Sequence, residues 1–232
     1  MHVRKYGGSS LQSLNNIRDI CSNLPDVPMV IVLSAQGDMT NCLYQASDRF
    51  PDGLEKNELI ALGEMFSCSL MQKMLKLSGR DSVIIGYEDL GIQSTSSHGG
   101  FIDRIDPSMI INNLSVNKVV IVPGFHAVGP NGQLAILHRG SSDDTAVALA
   151  IALKVPCHIY SNIPYIYNGE GMACRKISYD SLLSLITKDE APMSRSAILM
   201  AQRHSLSLSF GHWNRYSSGT VIGMIEEIFE NN

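Results

Sequence analysis

The sequence predicts an α/β fold, with a mostly parallel central sheet sandwiched by helices. Short apolar runs of strand length alternate with amphipathic stretches from one end of the chain to the other, which is the pattern of a parallel sheet covered on both faces. The run at residues 29–33 (MVIVL) has no polar alternation, as expected of a strand buried on both faces. We therefore predict a single α/β domain over residues 1–232.

Each predicted element rests on a local pattern. Apolar residues at positions 11, 14, 17, 20 and 24 have helical spacing. The segment Ser-Ser-Asp-Asp at residues 141–144 places capping residues and acids at the start of a helix, and Asn131-Gly132 is typical of a hairpin turn. The predicted strands are residues 2–6, 29–33, 82–85, 119–122, 125–128, 133–137, 157–160 and 205–210. The predicted helices are residues 11–24, 58–77, 142–153, 179–186 and 197–204, and residues 221–229 are predicted as a terminal helix or a strand followed by a helix.

Composition and charge exclude several classes of protein. The chain has 232 residues, 44 % of them apolar, and its 18 basic and 22 acidic residues leave a formal net charge of −4. That length buries a sizeable core, which excludes a collagen, a disordered tail and a disulfide-stapled miniprotein. A slightly acidic chain lacks the bulk charge to bind a polyanion, which leaves only a local basic patch as an alternative. No apolar run approaches the roughly 20 residues that span a bilayer. We expect no nucleic-acid or membrane partner.

The cysteines and the N-terminal residues indicate the cellular compartment of the protein. Five scattered cysteines without a C-x-x-C pair are typical of buried thiols in a reducing environment. The N-terminal residues MHVRKYGG lack the apolar segment of a signal peptide. The sequence therefore predicts a cytoplasmic protein.

Four polar loops directly follow predicted strands, where open α/β sheets bind their ligands. Residues 5–10 (KYGGSS) combine a lysine with two glycines that let the backbone approach a phosphate, although a plain strand-turn-helix has the same pattern. Residues 34–41 (SAQGDMTN) offer small hydroxyl side chains and Gly37, with an ordinary tight turn as the alternative.

The two later loops carry further chemistry. Arg139 could bind a carboxylate through two parallel hydrogen bonds, and Asp143 could hold a metal or orient a lysine; the alternative is a capped helix beside an exposed arginine. Residues 160–168 (YSNIPYIYN) run from a strand into a polar and aromatic segment that suits a nucleobase or serves as an ordinary connection.

In this order and at these positions, the four loops resemble the aspartate kinase branch of the amino acid kinase family. Residues 5–10 are similar to its K-F-G-G-[TS]-S opening, residues 34–41 to S-A-x-x-x-x-T-[ND], and residues 137–146 (LHRGSSDDTA) to L-G-R-G-G-S-D-x-[TS]-A. Further similar segments lie at residues 62–64, 122–125, 161–167, 177–185 and 218–220. The resemblance covers nearly the whole chain, and the glycine-arginine-serine-aspartate segment is its most specific part.

The resemblance implies transfer of the γ-phosphoryl group of ATP, with Mg²⁺, to the side-chain carboxylate of aspartate or a close analogue. It implies two catalytic residues: Lys5 stabilises charge on the transferred group, and Asp143 orients Lys5 and the metal-bound nucleotide. The residues it assigns to the amino-acid substrate are Ser34, Thr40, Glu64, Arg139 and Ser142, with Arg139 on the α-carboxylate and Glu64 on the α-ammonium. Those it assigns to the nucleotide are Gly7, Gly8, Ser9, Gly37, Ser161, Asn162 and Tyr167, and it assigns no residue to a protein-bound metal.

The nucleotide side departs from the family pattern. Asn162 stands where the family has an acid, Tyr165 where it has a glycine, and Pro192 where it has the lysine of a G-A-K segment. A D-P-R segment is missing after Tyr167, and His138, in place of a glycine, is interpreted as a spacer. Losing charge-assisted hydrogen bonds to a triphosphate is expected to weaken donor binding.

The sequence is compatible with three hypotheses: an aspartate kinase, a family member that uses another acceptor or phosphoryl donor, and a non-catalytic amino-acid-binding partner subunit. The family's C-terminal ACT domains have no counterpart in the sequence, so we expect no feedback regulation by that route. The resemblance also implies a homodimer, an amino-acid-binding lobe over residues 1–150 and a nucleotide-binding lobe over residues 151–232.

Overall fold

Strands and helices alternate along the chain in the computed structural model, which describes residues 1–186, 192–215 and 219–230. The strands are β1 (His2–Tyr6), β2 (Met29–Leu33), β3 (Ser82–Ile84), β4 (Ile92–Ser94), β5 (His98–Gly100), β6 (Ile102–Ile105), β7 (Val119–Pro123), β8 (His126–Val128), β9 (Leu134–Leu137), β10 (Cys157–Ser161), β11 (Ile166–Tyr167), β12 (Ala173–Ser178), β13 (Leu208–His212), β14 (Thr220–Gly223) and β15 (Ile228–Glu230). The α-helices are α1 (Leu14–Asn23), α2 (Met39–Ala46), α3 (Leu54–Leu77), α4 (Ser108–Val116), α5 (Ser142–Leu153), α6 (Tyr179–Leu185) and α7 (Arg195–Arg203), and a 3-10 helix covers Gly8–Leu11.

Most strands belong to one large mixed sheet. Its order is β11-β12-β14-β13-β10-β1-β2-β7-β3, with β15 paired to β12. From β13 to β3 every pair of neighbours is parallel, whereas β14, β11 and β15 introduce antiparallel pairs at the other side. Because parallel strands end at one edge of a sheet, the carboxyl ends of β10, β1, β2 and β7 lie side by side.

The parallel strands are buried on both faces. On one face, Met29, Ile31 and Leu33 of β2 join the core cluster that includes α1 and α3. On the other face, Val30 and Val32 join the cluster that includes α5 and α7. The absence of polar alternation in β2 therefore has its expected cause, and the predicted fold class is confirmed.

A second sheet has the order β5-β9-β8-β4-β6. Of its strands, the sequence predicted only the β8–β9 hairpin around Asn131-Gly132, which the structure contains. Strands β4, β5 and β6 are three or four residues long, too short for a period-2 signal to stand out.

Residues 221–229 do not contain the predicted terminal helix. They carry most of β14 and β15 instead, and β14 pairs with both β12 and β13. The Thr220 hydroxyl donates to the Cys174 carbonyl at 2.6 Å, which adds to that pairing. Tertiary pairing with two strands outweighs the local helical spacing, as is common for β-branched and aromatic segments.

Residues 190–191 of the segment compared with G-A-K and residue 218 of residues 218–220 lie outside the described residues. In the part of the chain that the structure describes, we find no helix of the length and apolarity needed to cross a membrane.

Candidate active site

A cavity of about 940 Å³ lies at the carboxyl edge of the large sheet. Lys5 stands near the end of β1 and Ser34 directly follows β2, and both line this cavity, called here the first cavity. Arg139, Ser142 and Asp143, from the loop after β9 and the start of α5, line it as well. The first cavity thus collects five of the predicted site residues at the edge where open α/β sheets bind ligands.

The glycine turn after β1 packs against the loop after β2. The Gly37 amide donates to the Gly8 carbonyl at 3.1 Å, and the Gly7 amide donates to the Tyr160 carbonyl at 3.1 Å. A Cβ atom on Gly8 would lie 2.5 Å from the Ala35 carbonyl oxygen, so the close approach of the two loops requires glycine there. The predicted nucleotide residues Gly7, Gly8, Ser9 and Gly37 lie in these two loops, next to the cavity lining rather than in it.

Lys5 and Asp143 form a nearly buried ion pair. Lys5 Nζ lies 2.7 Å from Asp143 Oδ1, and the two side chains are 12 % and 7 % exposed. Asp143 sits in the first turn of α5, where the unpaired backbone amides favour a carboxylate. A buried charge requires a partner, so each side chain holds the other at the cavity wall.

The acidic start of α5 also fixes the start of α7. Asp143 Oδ2 accepts from the Ser194 amide at 2.9 Å, and the Ser194 hydroxyl donates to Asp144 Oδ2 at 2.8 Å. Ser194 is the N-cap of α7, where its Oγ accepts from the Ala197 amide at 3.1 Å. The position of Arg195, the first residue of α7, is therefore set relative to Lys5.

Arg139 connects the loop after β9 to α2. Its guanidinium donates to Asn41 Oδ1 and lies 5.7 Å from the centre of the Tyr44 ring. Gly140 has a φ of +87°, a left-handed conformation that favours glycine and turns the chain from Arg139 into α5. An exposed guanidinium held by α2 is well suited to receive a carboxylate.

Two other residues predicted for the amino-acid substrate lie outside the lining of the first cavity. Thr40 is half-buried in α2. Glu64 is 3 % exposed, and its Oε1 accepts from the Ala35 amide at 3.1 Å, behind the loop that carries Ser34. Its Oε2 is buried and accepts no hydrogen bond from the described residues, which leaves one acceptor for an ammonium group.

Glu64 faces a buried histidine that the sequence did not single out for function. His126 Nε2 lies 4.0 Å from Glu64 Oε2, and His126 is 2 % exposed. Burial raises the pKa of Glu64 to about 7 and lowers the pKa of His126 to about 4, since both ionised forms lose their hydration. His126 is therefore neutral at physiological pH.

The structure does not bring the last three predicted nucleotide residues into the first cavity. Ser161 ends β10 and its carbonyl accepts from the Trp213 amide at 3.1 Å, and Asn162 follows it as an exposed residue. Tyr167 lies in β11, four strand positions from β10 in the sheet order, or about 19 Å at the usual strand spacing. Their role stays a prediction.

The first cavity also contains residues that sequence reasoning missed. Ser194, Arg195 and Ser196 line it from the start of α7, and the capping serine at 194 was the available signal. Arg195 is exposed, with Nη1 donating to the Leu183 carbonyl at 3.3 Å.

His138, interpreted as a spacer rather than a general base, also makes polar contacts with α5 and α7. Its Nε2 lies 3.5 Å from Asp144 Oδ2 and 3.2 Å from Ser196 Oγ. The contact with the Asp144 carboxylate raises the pKa of His138. The imidazole connects the end of β9 to α5 and α7, a role that only tertiary packing reveals.

Comparisons with known proteins agree on one protein family. A sequence model described as the amino acid kinase family matches residues 1–210. Aspartokinase 2 of Bacillus subtilis (strain 168) is 32 % identical over 236 residues, which cover 95 % of this chain and 58 % of that protein. An aspartokinase of Helicobacter pylori (strain ATCC 700392 / 26695) is 29 % identical, with 95 % and 58 % covered. The chain thus spans about 58 % of the length of these curated relatives.

Solved structures agree on the fold. The crystal structure of aspartate kinase from Synechocystis has a TM-score of 0.81 at 26 % identity, covering 95 % of this chain and 39 % of that one. An isopentenyl phosphate kinase substrate complex has a TM-score of 0.69 at 16 % identity, covering 96 % of this chain and 99 % of that one.

Proposed function

Because the chain belongs to the amino acid kinase family, we propose that it is an ATP-dependent kinase that phosphorylates the side-chain carboxylate of L-aspartate or a close analogue. The product is an acyl phosphate. The similarity to two curated aspartokinases and to a solved aspartate kinase supports this acceptor.

The observation that carries the proposal is the charge of the first cavity. Along its described lining, Lys5, Arg139 and Arg195 stand with one carboxylate, that of Asp143. Since Lys5 pairs with Asp143, two guanidinium groups are left to bind anions. The phosphates of ATP and the carboxylates of an amino acid are such anions.

Lys5 is placed to stabilise the phosphoryl group in transfer. The transition state spreads negative charge over the phosphoryl oxygens, and catalysis consists mainly of alignment and charge stabilisation. The ionised acceptor carboxylate forms the new O–P bond while the bond to the β-phosphate oxygen breaks and ADP leaves, so no general base is needed. Asp143 positions the Lys5 ammonium at 2.7 Å.

The amino-acid substrate requires both signs of charge from the protein, because its carboxylates are negative and its α-ammonium is positive. Arg139 binds the α-carboxylate through paired hydrogen bonds, and the hydroxyls of Ser34 and Ser142 donate to substrate oxygens. Glu64 accepts from the α-ammonium through Oε2, the oxygen without a partner among the described residues. Thr40 completes this side from α2.

The residues of the first cavity fit a Mg²⁺ ion that is held largely by the nucleotide. Mg²⁺ commonly takes one or two carboxylates together with phosphate oxygens and waters. The described residues contain no cluster of three His, Cys, Asp or Glu side chains that could hold a metal, and Asp143 is the carboxylate of the lining. Asp143 would hold the ion, which when bound neutralises charge on the phosphates.

In this proposal, backbone amides and one arginine bind the phosphates of the nucleotide. In the glycine turn, Gly7 holds the turn against β10 through its bond to the Tyr160 carbonyl, and Gly8 and Ser9 supply backbone amides to the phosphates. Gly37, with a φ of +49°, turns the neighbouring loop beside them. Arg195 supplies a guanidinium from the start of α7 to the donor phosphates. Ser161, Asn162 and Tyr167 are assigned to the base side.

An acyl-phosphate assay with hydroxylamine trapping tests the proposal. Purified protein with Mg²⁺, ATP and L-aspartate should give a hydroxamate, and Lys5→Ala and Asp143→Asn should each lose about 100-fold or more of the rate. Lys118→Ala is the matched control, because Lys118 pairs with Asp26 on the surface, where the two side chains are 63 % and 76 % exposed.

Three outcomes separate the hypotheses. If a hydroxamate appears only with another amino acid or another phosphoryl donor, that compound replaces aspartate or ATP as the substrate. Binding of aspartate in calorimetry with no product from any amino acid would make the chain a binding subunit. A Lys5→Ala variant that folds and keeps full activity would contradict the assigned catalytic role of Lys5.

We further propose a cytoplasmic homodimer. The five cysteines are free thiols, as in reducing compartments. On α3, Leu62 and Phe66 are 55 % and 48 % exposed one turn apart, an apolar pair of the kind that a second copy covers. Light scattering of the purified protein should give twice the chain mass, and Phe66→Glu should shift it toward the monomer.

A further inference from the structure

A second cavity lies directly beside the first. Its volume is about 460 Å³, within the range of small-molecule sites. Three residues, His138, Ser196 and Leu199, line both cavities. They therefore form a partition between the two.

The second cavity joins an apolar wall to basic side chains. Its apolar wall includes Leu137, Ala148, Ile151, Leu199 and Met200. Arg104 of β6 and Arg203 at the end of α7 are exposed residues that line it. Within the described ranges, neither guanidinium lies within 4.0 Å of a carboxylate.

The acidic residues of the second cavity do not cancel this charge. Two carboxylates line it, those of Asp103 and Asp144. Asp144 already accepts from Ser194 and faces His138, which leaves Asp103 as the one uncommitted acid of the described lining. Phe101, 57 % exposed, adds an aromatic ring at the same site.

From this lining we propose that the second cavity is an effector site for a small organic carboxylate with an apolar or aromatic body. The carboxylate pairs with Arg104 and Arg203 through charge-assisted hydrogen bonds. The apolar body is removed from water against Leu199 and Met200, and its ring packs on Phe101, in the way that aromatic pairs prefer.

A continuous set of polar contacts connects this site to the catalytic ion pair. His138 Nε2 lies 3.5 Å from Asp144 Oδ2, and Asp144 Oδ2 accepts from the Ser194 hydroxyl at 2.8 Å. The Ser194 amide donates to Asp143 Oδ2 at 2.9 Å, and Asp143 Oδ1 lies 2.7 Å from Lys5 Nζ. A ligand that moves His138 therefore moves the start of α7 and the partner of Lys5. Coupling between two sites is reciprocal, so the effector and ATP change each other's affinity.

Phenylacetate is the probe for the site, and phenylacetamide is its neutral control of nearly the same shape. Ligand-observed NMR and calorimetry should show phenylacetate bound with a dissociation constant on the order of 1 mM, a modest affinity for its size. Phenylacetamide should bind at least about tenfold more weakly, because it cannot form the charge-assisted bonds. Equal binding of the two, or no binding of phenylacetate, overturns the proposal.

Variants place the probe in the second cavity. Arg104→Ala and Arg203→Ala change exposed residues outside the first cavity, and each should weaken phenylacetate binding by about tenfold. Arg18→Ala is the control, since Arg18 lies on α1 with a side chain that is 59 % exposed. Phenylacetate that is displaced stoichiometrically by aspartate, or that binds both arginine variants as tightly as wild type, sits elsewhere and contradicts the assignment.

The coupling has a separate readout. Saturating phenylacetate should change the dissociation constant of Mg-ATP by about fivefold or more, and His138→Gln should still bind phenylacetate but lose that change. An unchanged ATP affinity in wild type overturns the coupling. This arm rests on the proposed function, whereas phenylacetate binding does not, so failure of the kinase assignment and failure of the effector site are distinguishable.

Discussion

At the scale of single residues, Glu64 and His126 oppose each other in their response to pH. The folded-state pKa of Glu64 is about 7 against an ordinary 4.5, so the folded chain binds more protons between those values and stability falls as pH rises through that window. The folded-state pKa of His126 is about 4 against 6.5, so the unfolded chain binds more protons there and stability rises with pH. Each window spans about 2.5 pH units, and across it the free energy of unfolding changes by about 3 kcal/mol.

We predict that single variants unmask these two effects. Burial also lowers the pKa of His158 to about 4, which adds a rise in stability with pH to wild type and to both variants alike, so each effect is measured as the difference from wild type. Between pH 4.5 and 7, the free energy of unfolding of Glu64→Gln should rise by about 3 kcal/mol relative to wild type, because the fall that Glu64 causes is removed. Between pH 4 and 6.5, that of His126→Gln should fall by a similar amount relative to wild type, because the rise that His126 causes is removed. Urea unfolding at a series of pH values measures both, and three parallel profiles would contradict the prediction.

Arg195 is the second residue-scale prediction. Arg195→Ala should raise the KM for ATP by about tenfold or more, because a charge-assisted hydrogen bond to a phosphate is lost, and should leave the KM for aspartate unchanged. Arg195→Lys should recover part of the loss, since the charge remains but the planar fork does not. Arg18→Ala is the control for removing a surface arginine, and equal changes in both KM values would place Arg195 away from the donor.

The predictable part of the site is the part that short loops bring together. The family resemblance of two loops that follow strands implied that Asp143 orients Lys5, and the two side chains lie 2.7 Å apart. Arg195 and Ser194 enter from the start of α7, some 50 residues further along the chain, through the packing of α7 on α5. No sequence periodicity or motif spacing predicts the contact between the start of α7 and α5, and none predicts the Glu64–His126 pair.

At the scale of elements, the start of α7 is expected to affect both the stability of the fold and the activity of the site. Ser194 caps α7 and donates to Asp144, whereas Ser13 caps α1 by accepting from the Asn16 amide at 3.1 Å in an exposed position. Ser13→Ala should cost about 1 kcal/mol, the usual loss of an N-cap. Ser194→Ala should cost about 2 kcal/mol, because Asp144 also loses a partner while buried.

The same pair of variants separates the two roles by activity. Ser194→Ala should lower kcat, since the helix start that meets Asp143 Oδ2 moves, while Ser13→Ala should leave kcat as in wild type. Urea unfolding and the hydroxamate assay give the two quantities. Loss of activity in both variants, or in neither, would contradict the link between α7 and the Lys5–Asp143 pair.

Element prediction succeeded where local pattern and tertiary environment agree. β2 and α5 have the predicted bounds, because two-sided burial and an acidic capped start leave direct traces in the sequence. The strands β4, β5, β6, β11 and β12 and the helices α2 and α4 were not predicted. Helix α2 has no buried residue, so it lacks the apolar stripe that would have marked it.

At the scale of the whole molecule, the large sheet crosses the boundary between the two predicted lobes. β1 is hydrogen-bonded to β2 on one side and to β10, at residues 157–161, on the other. The first cavity likewise takes residues from both ranges. Strand pairing of this kind favours unfolding as one cooperative unit rather than lobe by lobe.

The cysteines provide a direct test of that cooperativity. Cys21 and Cys68 are buried in residues 1–150, Cys157 and Cys174 are buried in residues 151–232, and Cys42 is exposed. Burial raises the pKa of Cys21 to about 12 and also raises the pKa of Cys157, so neither forms a reactive thiolate without opening. In the native protein, an aromatic disulfide reagent should modify Cys42 alone.

In a Cys42→Ser background, the four buried thiols should react only through opening of the fold. If the molecule opens as one unit, the free energies of opening obtained for Cys21 and Cys157 should equal each other and the free energy of global unfolding from urea titration. Mass spectrometry of digested samples assigns the labelling rate to each cysteine. Faster labelling of Cys157 and Cys174 than of Cys21 and Cys68 would show that residues 151–232 open separately. The pairing of β1 with β10 would then be a weak contact between two lobes and not the centre of one domain.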